Sequence, residues 1–348
     1  MKQIIFTYND IKAVNIGDYI QSLAAKQFAS SDIVYVNRDE LGLYNGDKAK
    51  VIMNGWYTYK PSTCLPSKSA QALFVAFHLN AEIIKDFLSP YNISILKKYE
   101  PIGCRDSYTQ EQLQKAGIKA YYSGCLTMTL GYNFKIPKTK SEKIVVVDPY
   151  AYMPNGKGGF EIIRTLFQTI KYISPVRKLL KKYKEDNKFT INLSKIGIGR
   201  ILLLTKNYIL LKQLFDNETI WNAHYITQLY LNKEYPTDDL RFKRATELLQ
   251  LYTDAKYIVT SRIHCAFPCL GLQTPVAYIK NDIDSPKSLC RLGNVTELLH
   301  VIEVHGEKVV SNFLSQKFTL QTTFSNKDTY IKYRNELIQE CTNFFKEA

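Results

Sequence analysis

The chain has 348 residues, more than one ordinary hydrophobic core accommodates, and this length favours two domains. Apolar residues make up 45% and charged residues 22%, a composition that excludes an intrinsically disordered chain. The net charge of +14 suits nucleic acid, an anionic membrane surface or a phosphorylated substrate, and by itself it does not choose among them.

The first part of the chain alternates predicted strands and helices. The predicted strands are residues 2–8, 32–38, 50–56 and 118–125. The predicted helices cover residues 16–28 and 107–116, with Asp18 and Ser107 as their amino-terminal caps. A glutamine three residues after each cap completes a capping box, and Gly117 ends the second helix.

The same alternation restarts after a polar, lysine-rich linker. Its predicted strands are residues 142–150, 255–261 and 274–279, and its predicted helices are residues 240–255 and 262–272. Strands that alternate with helices are typical of parallel sheets covered by helices, so we predict an α/β protein with two such units facing a cleft. The predicted domains are residues 1–140 and 141–327, and a final helix at 328–348 packs back on the first domain.

A basic stretch interrupts the second unit. Residues 157–212 contain 13 basic and 3 acidic residues, a net charge of +10, interleaved with apolar clusters. Two interpretations remain open: an interfacial segment resting on an anionic bilayer, or ordinary amphipathic helices with solvated lysines.

The chain is expected to be cytoplasmic, with peripheral contact to the inner face of the plasma membrane if the interfacial interpretation holds. No apolar run reaches the ~20 residues of a membrane span, and the first residues lack a signal-peptide stretch. The seven cysteines form no disulfide framework. Cys265 and Cys269 lack a second ligand pair, so structural cysteines are favoured over a metal site.

The sharpest local signal is a strand-to-helix junction that carries Ser261, Arg262 and His264. Such a junction lies at the carboxyl edge of a parallel sheet, where ligands bind. The helix amino terminus and the arginine suit an anion, and a histidine can move a proton near neutral pH. Pro268 should leave the carbonyl of His264 without its intrahelical partner and kink the helix. A capped core helix with a surface arginine is the competing interpretation.

Two further junctions carry polar residues. Arg105, followed by Asp106, precedes the second predicted helix and could hold an anion, or the pair could only fix a loop. Asn15, Gly17 and Asp18 open the first helix and are candidates for the acceptor side or the cleft, although a purely capping role for Asp18 is favoured on physical grounds.

Two single residues are weaker candidates. His224 could face the cleft, and Arg291 follows a predicted strand at what should be a sheet edge, a suitable place for an anion clamp. A lone histidine or arginine is more often structural or solvated. The chain contains no GxGxxG, P-loop, HExxH or GxSxG motif, so nucleoside triphosphate hydrolysis, zinc proteolysis and serine hydrolysis have no support.

Three segments together resemble the polysaccharide pyruvyl transferase family: NIGDYIQSLA, CRDSYTQEQLQKAGIKAYYSGCLT and YTDAKYIVTSRIHCAFPCLGLQTPVAYI. The resemblance extends over most of the chain, and the arginine–aliphatic–histidine triplet at 262–264 is its most specific element. The basic stretch has no counterpart. Where many members have an Asp-Pro pair, this chain has Gly-Cys-Leu-Thr at 124–127.

The resemblance implies two Rossmann-like domains in the GT-B arrangement, with the acceptor on the first domain and the donor on the second. It implies phosphoenolpyruvate as donor, a sugar acceptor that is either free or lipid-linked, a cyclic pyruvate ketal of a surface polysaccharide as product, and no metal or redox cofactor. Arg262 and His264 would line the donor pocket as the catalytic residues, and Arg105 would be a second contact to the donor. Ser261 and Arg291 are further donor-binding candidates because of their positions at predicted strand ends, not because of the resemblance.

Three alternatives stay open. A GT-B glycosyltransferase using a nucleotide sugar would have the same architecture, because a fold does not fix a function. A nucleic-acid-binding protein would use the basic stretch, but no nucleic-acid-binding module is recognisable, so nucleic acid is not an expected partner. A family member that only binds glycan is the third.

Overall fold

In the computed structural model, the described residues are 1–8, 13–29, 32–57, 59–150, 159–187, 197–281, 292–311, 313 and 316–346. The strands are β1 Lys2–Thr7, β2 Ala13–Asn15, β3 Ile33–Asn37, β4 Ala49–Ile52, β5 Gly55–Tyr57, β6 Ala70–Leu73, β7 Phe77–Leu79, β8 Ile102–Cys104, β9 Ala120–Tyr122, β10 Ile144–Val147, β11 His224–Ile226, β12 Leu229–Leu231, β13 Tyr257–Thr260, β14 Val276–Asn281, β15 His300–His305 and β16 Lys308–Ser311.

The α-helices are α1 Ile16–Lys26, α2 Ile84–Phe87, α3 Pro90–Leu96, α4 Ser107–Lys115, α5 Gly159–Lys171, α6 Ile173–Asn187, α7 Ile198–Leu214, α8 Asn217–Asn222, α9 Asp238–Asp254, α10 Ile263–Gly271 and α11 Tyr330–Lys346. Short 3-10 helices occur at Arg38–Leu43, Lys97–Tyr99, Leu126–Tyr132, Asn232–Glu234 and Asn294–Leu298.

The N-terminal half contains two parallel sheets with the strand orders β3-β1-β4-β6 and β5-β7-β8-β9. β4 leads into β5 and β6 leads into β7 along the chain, so the second sheet continues the first at its carboxyl end. The strands are rich in apolar residues because helices cover them. The predicted α/β class with parallel sheets is confirmed.

The C-terminal half contains one six-stranded sheet with the order β11-β10-β13-β14-β15-β16. Its strands run parallel, except that β16 returns antiparallel beside β15. β10 is the run IVVV and is buried along its whole length, as the sequence predicts for a central strand. Val147 and Thr260 pair at the carboxyl end of β10 and β13, and the residues that follow them form the site described below.

Contacts between several elements join the two halves. β2 and β12 form an antiparallel ladder in which Leu229 faces Asn15. α1 packs against α9, and α10 packs against the 3-10 helix Leu126–Tyr132. This last contact is so close that a Cβ on Gly271 would collide with the backbone of Met128, which explains why a glycine ends α10.

The last helix, α11, contacts the N-terminal half. The Lys50 ammonium donates to the carbonyl of Phe344 at 2.7 Å, and the Tyr121 hydroxyl donates to Glu340 Oε2 at 2.5 Å. The ring of Tyr333 lies edge-on to that of Tyr122.

Both predicted helix caps are wrong. Asn15 caps α1, because its backbone is extended and its side chain accepts from the Gly17 amide. Asp18 lies in the first turn and accepts from Gln21. In the same way Asp106 caps α4 by accepting from the Thr109 amide at 2.8 Å, and Ser107 is the first helical residue. Gly117 ends α4 with a φ of +74°, as predicted.

The described part of the basic stretch forms α5, α6 and α7. The apolar side chains of α7 are mostly buried, which fits the interpretation as an ordinary core helix. α5 differs, because several of its largest apolar side chains are exposed. None of the described helices is both long and apolar enough to cross a bilayer.

Candidate functional site

Arg262 is anchored at the carboxyl edge of the C-terminal sheet. It occupies the cap position of α10, with an extended backbone, and its Nε donates to Asp148 Oδ2 at 2.8 Å. The Ser261 hydroxyl donates to the carbonyl of Asp148 at 2.5 Å, and the Arg262 amide donates to Thr260 Oγ1 at 2.9 Å. Neighbouring strands thus hold the arginine at the amino terminus of α10.

Asp148 has an unusual backbone. Its φ is +41°, a backbone conformation that residues other than glycine seldom adopt. Residues with such strained backbones cluster at functional sites. The conformation is held because the same carboxylate oxygen that accepts from Arg262 also accepts from the Gln228 amide at 2.9 Å. Asp148 therefore fixes the arginine and the start of β12 together.

His264 sits at a kink in α10. Its backbone angles, φ −79° and ψ 17°, are not helical. Pro268 has no N–H to give to the His264 carbonyl, which instead accepts from Gln228 Nε2 at 3.0 Å. The predicted loss of the intrahelical partner is confirmed, and the kink lies at the histidine.

The start of α1 meets His264 across the interface between the halves. Asp18 Oδ1 lies 3.8 Å from His264 Nδ1, which is too far for a direct hydrogen bond. Gly17 packs closely against the histidine, since a Cβ there would come within 3.0 Å of His264 Cβ. Asn15 caps α1 and thereby sets the direction of this helix start. The structure brings these three predicted residues to the junction of Arg262 and His264.

Arg105 lies in a second cluster, at the carboxyl edge of the N-terminal sheet. Its side chain is 3% exposed, and its Nε has no hydrogen-bond partner among the described residues. Asp106 and His78 form a fully buried ion pair beside it. Burial raises the pKa of the Asp106 carboxyl, but the charges of His78 and Arg105 outweigh it and hold this pKa below its ordinary value.

One predicted residue lies apart from both clusters. His224 begins β11, at the amino edge of the C-terminal sheet, where its Nδ1 lies 3.0 Å from Asp186 Oδ1. No described contact connects it to the Arg262 junction, which is at the opposite edge. Arg291 lies outside the described residues. Gly293, the second residue of the next described segment, contacts Ser107 at the start of α4.

Sequence reasoning missed Asp148, Gln228 and His78. Asp148 directly follows the buried strand β10, and this position was the available signal for it. His78 is the middle residue of the buried strand β7 and has no such signal. Gln228 carries no comparable signal, because its role depends on how β12 approaches α10.

The arrangement at α10 suits an anion and a proton transfer. An arginine and the amides of a helix amino terminus attract carboxylate or phosphate, and a histidine beside a carboxylate can exchange a proton. Among the described residues, no group of three or more His, Cys, Asp or Glu is arranged to hold a metal ion.

Comparison with known proteins gives one match. The family model described as polysaccharide pyruvyl transferase matches residues 15–283, a range that includes both clusters and ends before Arg291. No curated protein and no solved structure matches the chain significantly. Because the family model covers well over half of its length, the chain belongs to the polysaccharide pyruvyl transferase family.

Proposed function

We propose that this protein transfers the pyruvyl group of phosphoenolpyruvate to a hexose of a surface-polysaccharide precursor, forming a cyclic ketal. The observation that carries the proposal is the junction at α10, where Arg262 and His264 lie together at a helix amino terminus within the family match. The proposal includes a GT-B arrangement, with the acceptor on the N-terminal unit and the donor on the C-terminal unit.

Phosphoenolpyruvate carries a carboxylate and a phosphate, and the site offers matching charges. Asp148 orients the Arg262 guanidinium at the helix amino terminus, where it would bind one of these anions. Arg105, a buried cation whose Nε has no acceptor in the described chain, is the proposed second contact. The amides at the start of α10 would stabilise the phosphate as it leaves.

The proposed reaction begins when the methylene carbon of phosphoenolpyruvate accepts a proton and becomes a methyl group. This leaves an oxocarbenium-like carbon that one sugar hydroxyl attacks, releasing its proton. Phosphate departs with the electrons of its bond to this carbon, and a second sugar hydroxyl attacks the carbon and releases its proton to close the ketal. Of the two protons released, one replaces the proton given to the methylene carbon and the other goes to the phosphate. No redox cofactor takes part, because the pyruvyl group keeps its oxidation state. His264, beside Asp18, is the proposed proton-transfer residue.

The experiment is thermal unfolding of the purified protein with phosphoenolpyruvate and, separately, with UDP-sugars. A ligand that binds only the folded state raises Tm by mass action. We expect phosphoenolpyruvate to raise Tm in the wild type and in Arg177→Ala, an exposed arginine variant, but not in Arg262→Ala. A shift with nucleotide sugars alone would identify a glycosyltransferase instead.

His264 is tested separately by acceptor-dependent phosphate release. We expect His264→Gln to keep the phosphoenolpyruvate-induced Tm shift and to lose activity by about 10²- to 10⁴-fold, the usual contribution of a general acid or base. Full activity in His264→Gln would remove this residue from the mechanism.

A further inference from the structure

α5 exposes its apolar face. Ile163, Phe167 and Ile170 are 53%, 68% and 71% exposed. Their spacing of four and three residues places them on one stripe along the helix. Large apolar side chains that share a continuous exposed surface mark an interaction site more often than single exposed ones do.

The opposite face of α5 is polar and faces inward. Thr165 and Thr169 are buried, and the Thr169 hydroxyl lies 2.8 Å from the Thr205 hydroxyl on α7. An amphipathic helix that packed for core burial alone would place its apolar stripe against α7 and its threonines in water. α5 therefore has the opposite orientation, with its polar face toward α7 and its apolar face toward solvent.

Glu307, in the turn between β15 and β16, fixes this orientation. It accepts hydrogen bonds from Arg164 at 2.7 Å and Gln168 at 2.8 Å on α5. It also accepts from Lys206 on α7 at 2.8 Å. Because these bonds lie away from the apolar stripe, α5 cannot rotate the stripe inward without breaking them.

The surroundings of the stripe are basic. Lys171 flanks it on α5, and Arg177 and Lys181 are exposed on α6, directly after it. The whole stretch 157–212 carries a net charge of +10. A second copy of this chain would bring two such basic surfaces together, whereas an anionic lipid surface complements both the charge and the apolar stripe.

We propose that α5 is the site at which this protein docks on an anionic lipid bilayer. Ile163, Phe167 and Ile170 enter the boundary between headgroups and acyl chains, and the lysines and arginines beside them contact lipid phosphates. The helix lies in the membrane plane and does not cross it. This inference stands on the surface of α5 and does not depend on the proposed reaction.

The test is co-sedimentation of the full chain with vesicles of phosphatidylcholine, alone or mixed with phosphatidylglycerol. We expect binding to the mixed vesicles that weakens with salt, and a loss of at least about tenfold in Phe167→Ser/Ile170→Ser. Lys171→Gln and Arg177→Gln should each cost about fivefold. Tyr91→Ser, which removes an exposed aromatic ring from α3, is the matched control and should bind as the wild type does.

Two results would overturn the proposal. One is equal binding by the wild type and Phe167→Ser/Ile170→Ser, or no binding by either. The other is a dimer in sedimentation equilibrium that this double variant converts to a monomer, which would assign the stripe to a second copy of the chain. The Tm shift with phosphoenolpyruvate should be the same in the double variant, so a failure here remains distinguishable from a failure of the proposed reaction.

Discussion

Two strand-to-helix junctions in this protein look alike in sequence and differ in the folded chain. β8 leads through Arg105 into α4, and β13 leads through Arg262 into α10. In each case a neighbouring parallel strand brings an ionisable residue beside the junction. Next to Arg262 this residue is Asp148, which accepts from the arginine itself. Next to Arg105 it is His78, which pairs with Asp106.

The difference determines what each arginine can do. Arg262 is oriented by a carboxylate that partly balances its charge, so removing the arginine leaves Asp148 without that partner. Arg105 is buried beside a pair that has already formed, and its charge adds to that of His78 in lowering the pKa of Asp106. The Arg262 junction is built around the pair of the arginine with Asp148, whereas the Arg105 junction is built around the pair of His78 with Asp106.

The largest expected effect is at Arg262. Replacement by Met should lower kcat/KM for phosphoenolpyruvate by about 10²- to 10³-fold. It should also lower the free energy of unfolding by about 3 kcal/mol, because a mostly buried carboxylate loses its partner. Steady-state kinetics and urea unfolding measure the two effects. Arg262→Lys keeps the charge without the planar fork and should be intermediate in both. A stable, active Arg262→Met would show that the Arg262 junction does not depend on its arginine.

Arg105→Met should separate activity from stability. We expect kcat/KM to fall by about tenfold to 10²-fold, since one charged contact to the donor is lost. The free energy of unfolding should change by less than in Arg262→Met, because the cost of burying a charge that lacks a full set of acceptors offsets its attraction to Asp106. Destabilisation as large as in Arg262→Met would mean that Arg105 is structural.

The sequence predicts the position of each arginine but not its partner. Buried strand, arginine and helix can be identified locally at both 105 and 262, and Pro268 predicts the kink at His264 from the missing N–H alone. The pairing of Arg262 with Asp148 requires β10 and β13 to be adjacent, although 113 residues separate the strand ends that the Ser261 hydroxyl bridges. No local pattern encodes that distance.

The local sequence likewise does not determine which face of a helix points inward. The spacing of Ile163, Phe167 and Ile170 predicts an amphipathic α5 but does not say which face points inward. That depends on Thr205 and Glu307, which lie on elements far along the chain. The predicted caps are wrong for a more local reason: Asn15 and Asp106 are themselves good caps, and each precedes the predicted cap in the chain.

Asp106→Asn tests the contribution of the buried pair with His78 at the Arg105 junction. Asparagine can still cap α4, so the variant removes mainly the charge beside His78. We expect the free energy of unfolding to fall by about 3 kcal/mol at neutral pH. The folded-state pKa of Asp106 is lowered, so its contribution is complete above the unfolded value of about 3.9 and is lost as pH falls through the lower folded value.

Urea unfolding at several pH values measures this difference, which should shrink as the pH is lowered below about 4. Asp216→Asn is the matched control, because Asp216 caps α8 by accepting from the Thr219 amide at 2.8 Å, as Asp106 does for α4. It is expected to change stability by only a few tenths of a kcal/mol. An equal effect of both substitutions would show that capping, and not the pair with His78, makes Asp106 important.

The smallest expected effect is at Gly17, where the Arg262 junction meets α1. A Cβ in Gly17→Ala would lie 3.0 Å from His264 Cβ and 3.1 Å from Gln228 Oε1, so His264 has to move by a few tenths of an ångström relative to Asp18. We expect acceptor-dependent phosphate release to fall severalfold, within roughly the tenfold range of a small misplacement. Gly199→Ala is the control, since Gly199 is likewise the second residue of its helix and nothing lies within 4 Å of its added Cβ. That substitution should raise stability by up to about 1 kcal/mol and leave the rate unchanged. If Gly17→Ala has the same effect on the rate as Gly199→Ala, the spacing between His264 and Asp18 does not limit catalysis. The strand-to-helix junction before α10 would then act through Arg262 alone.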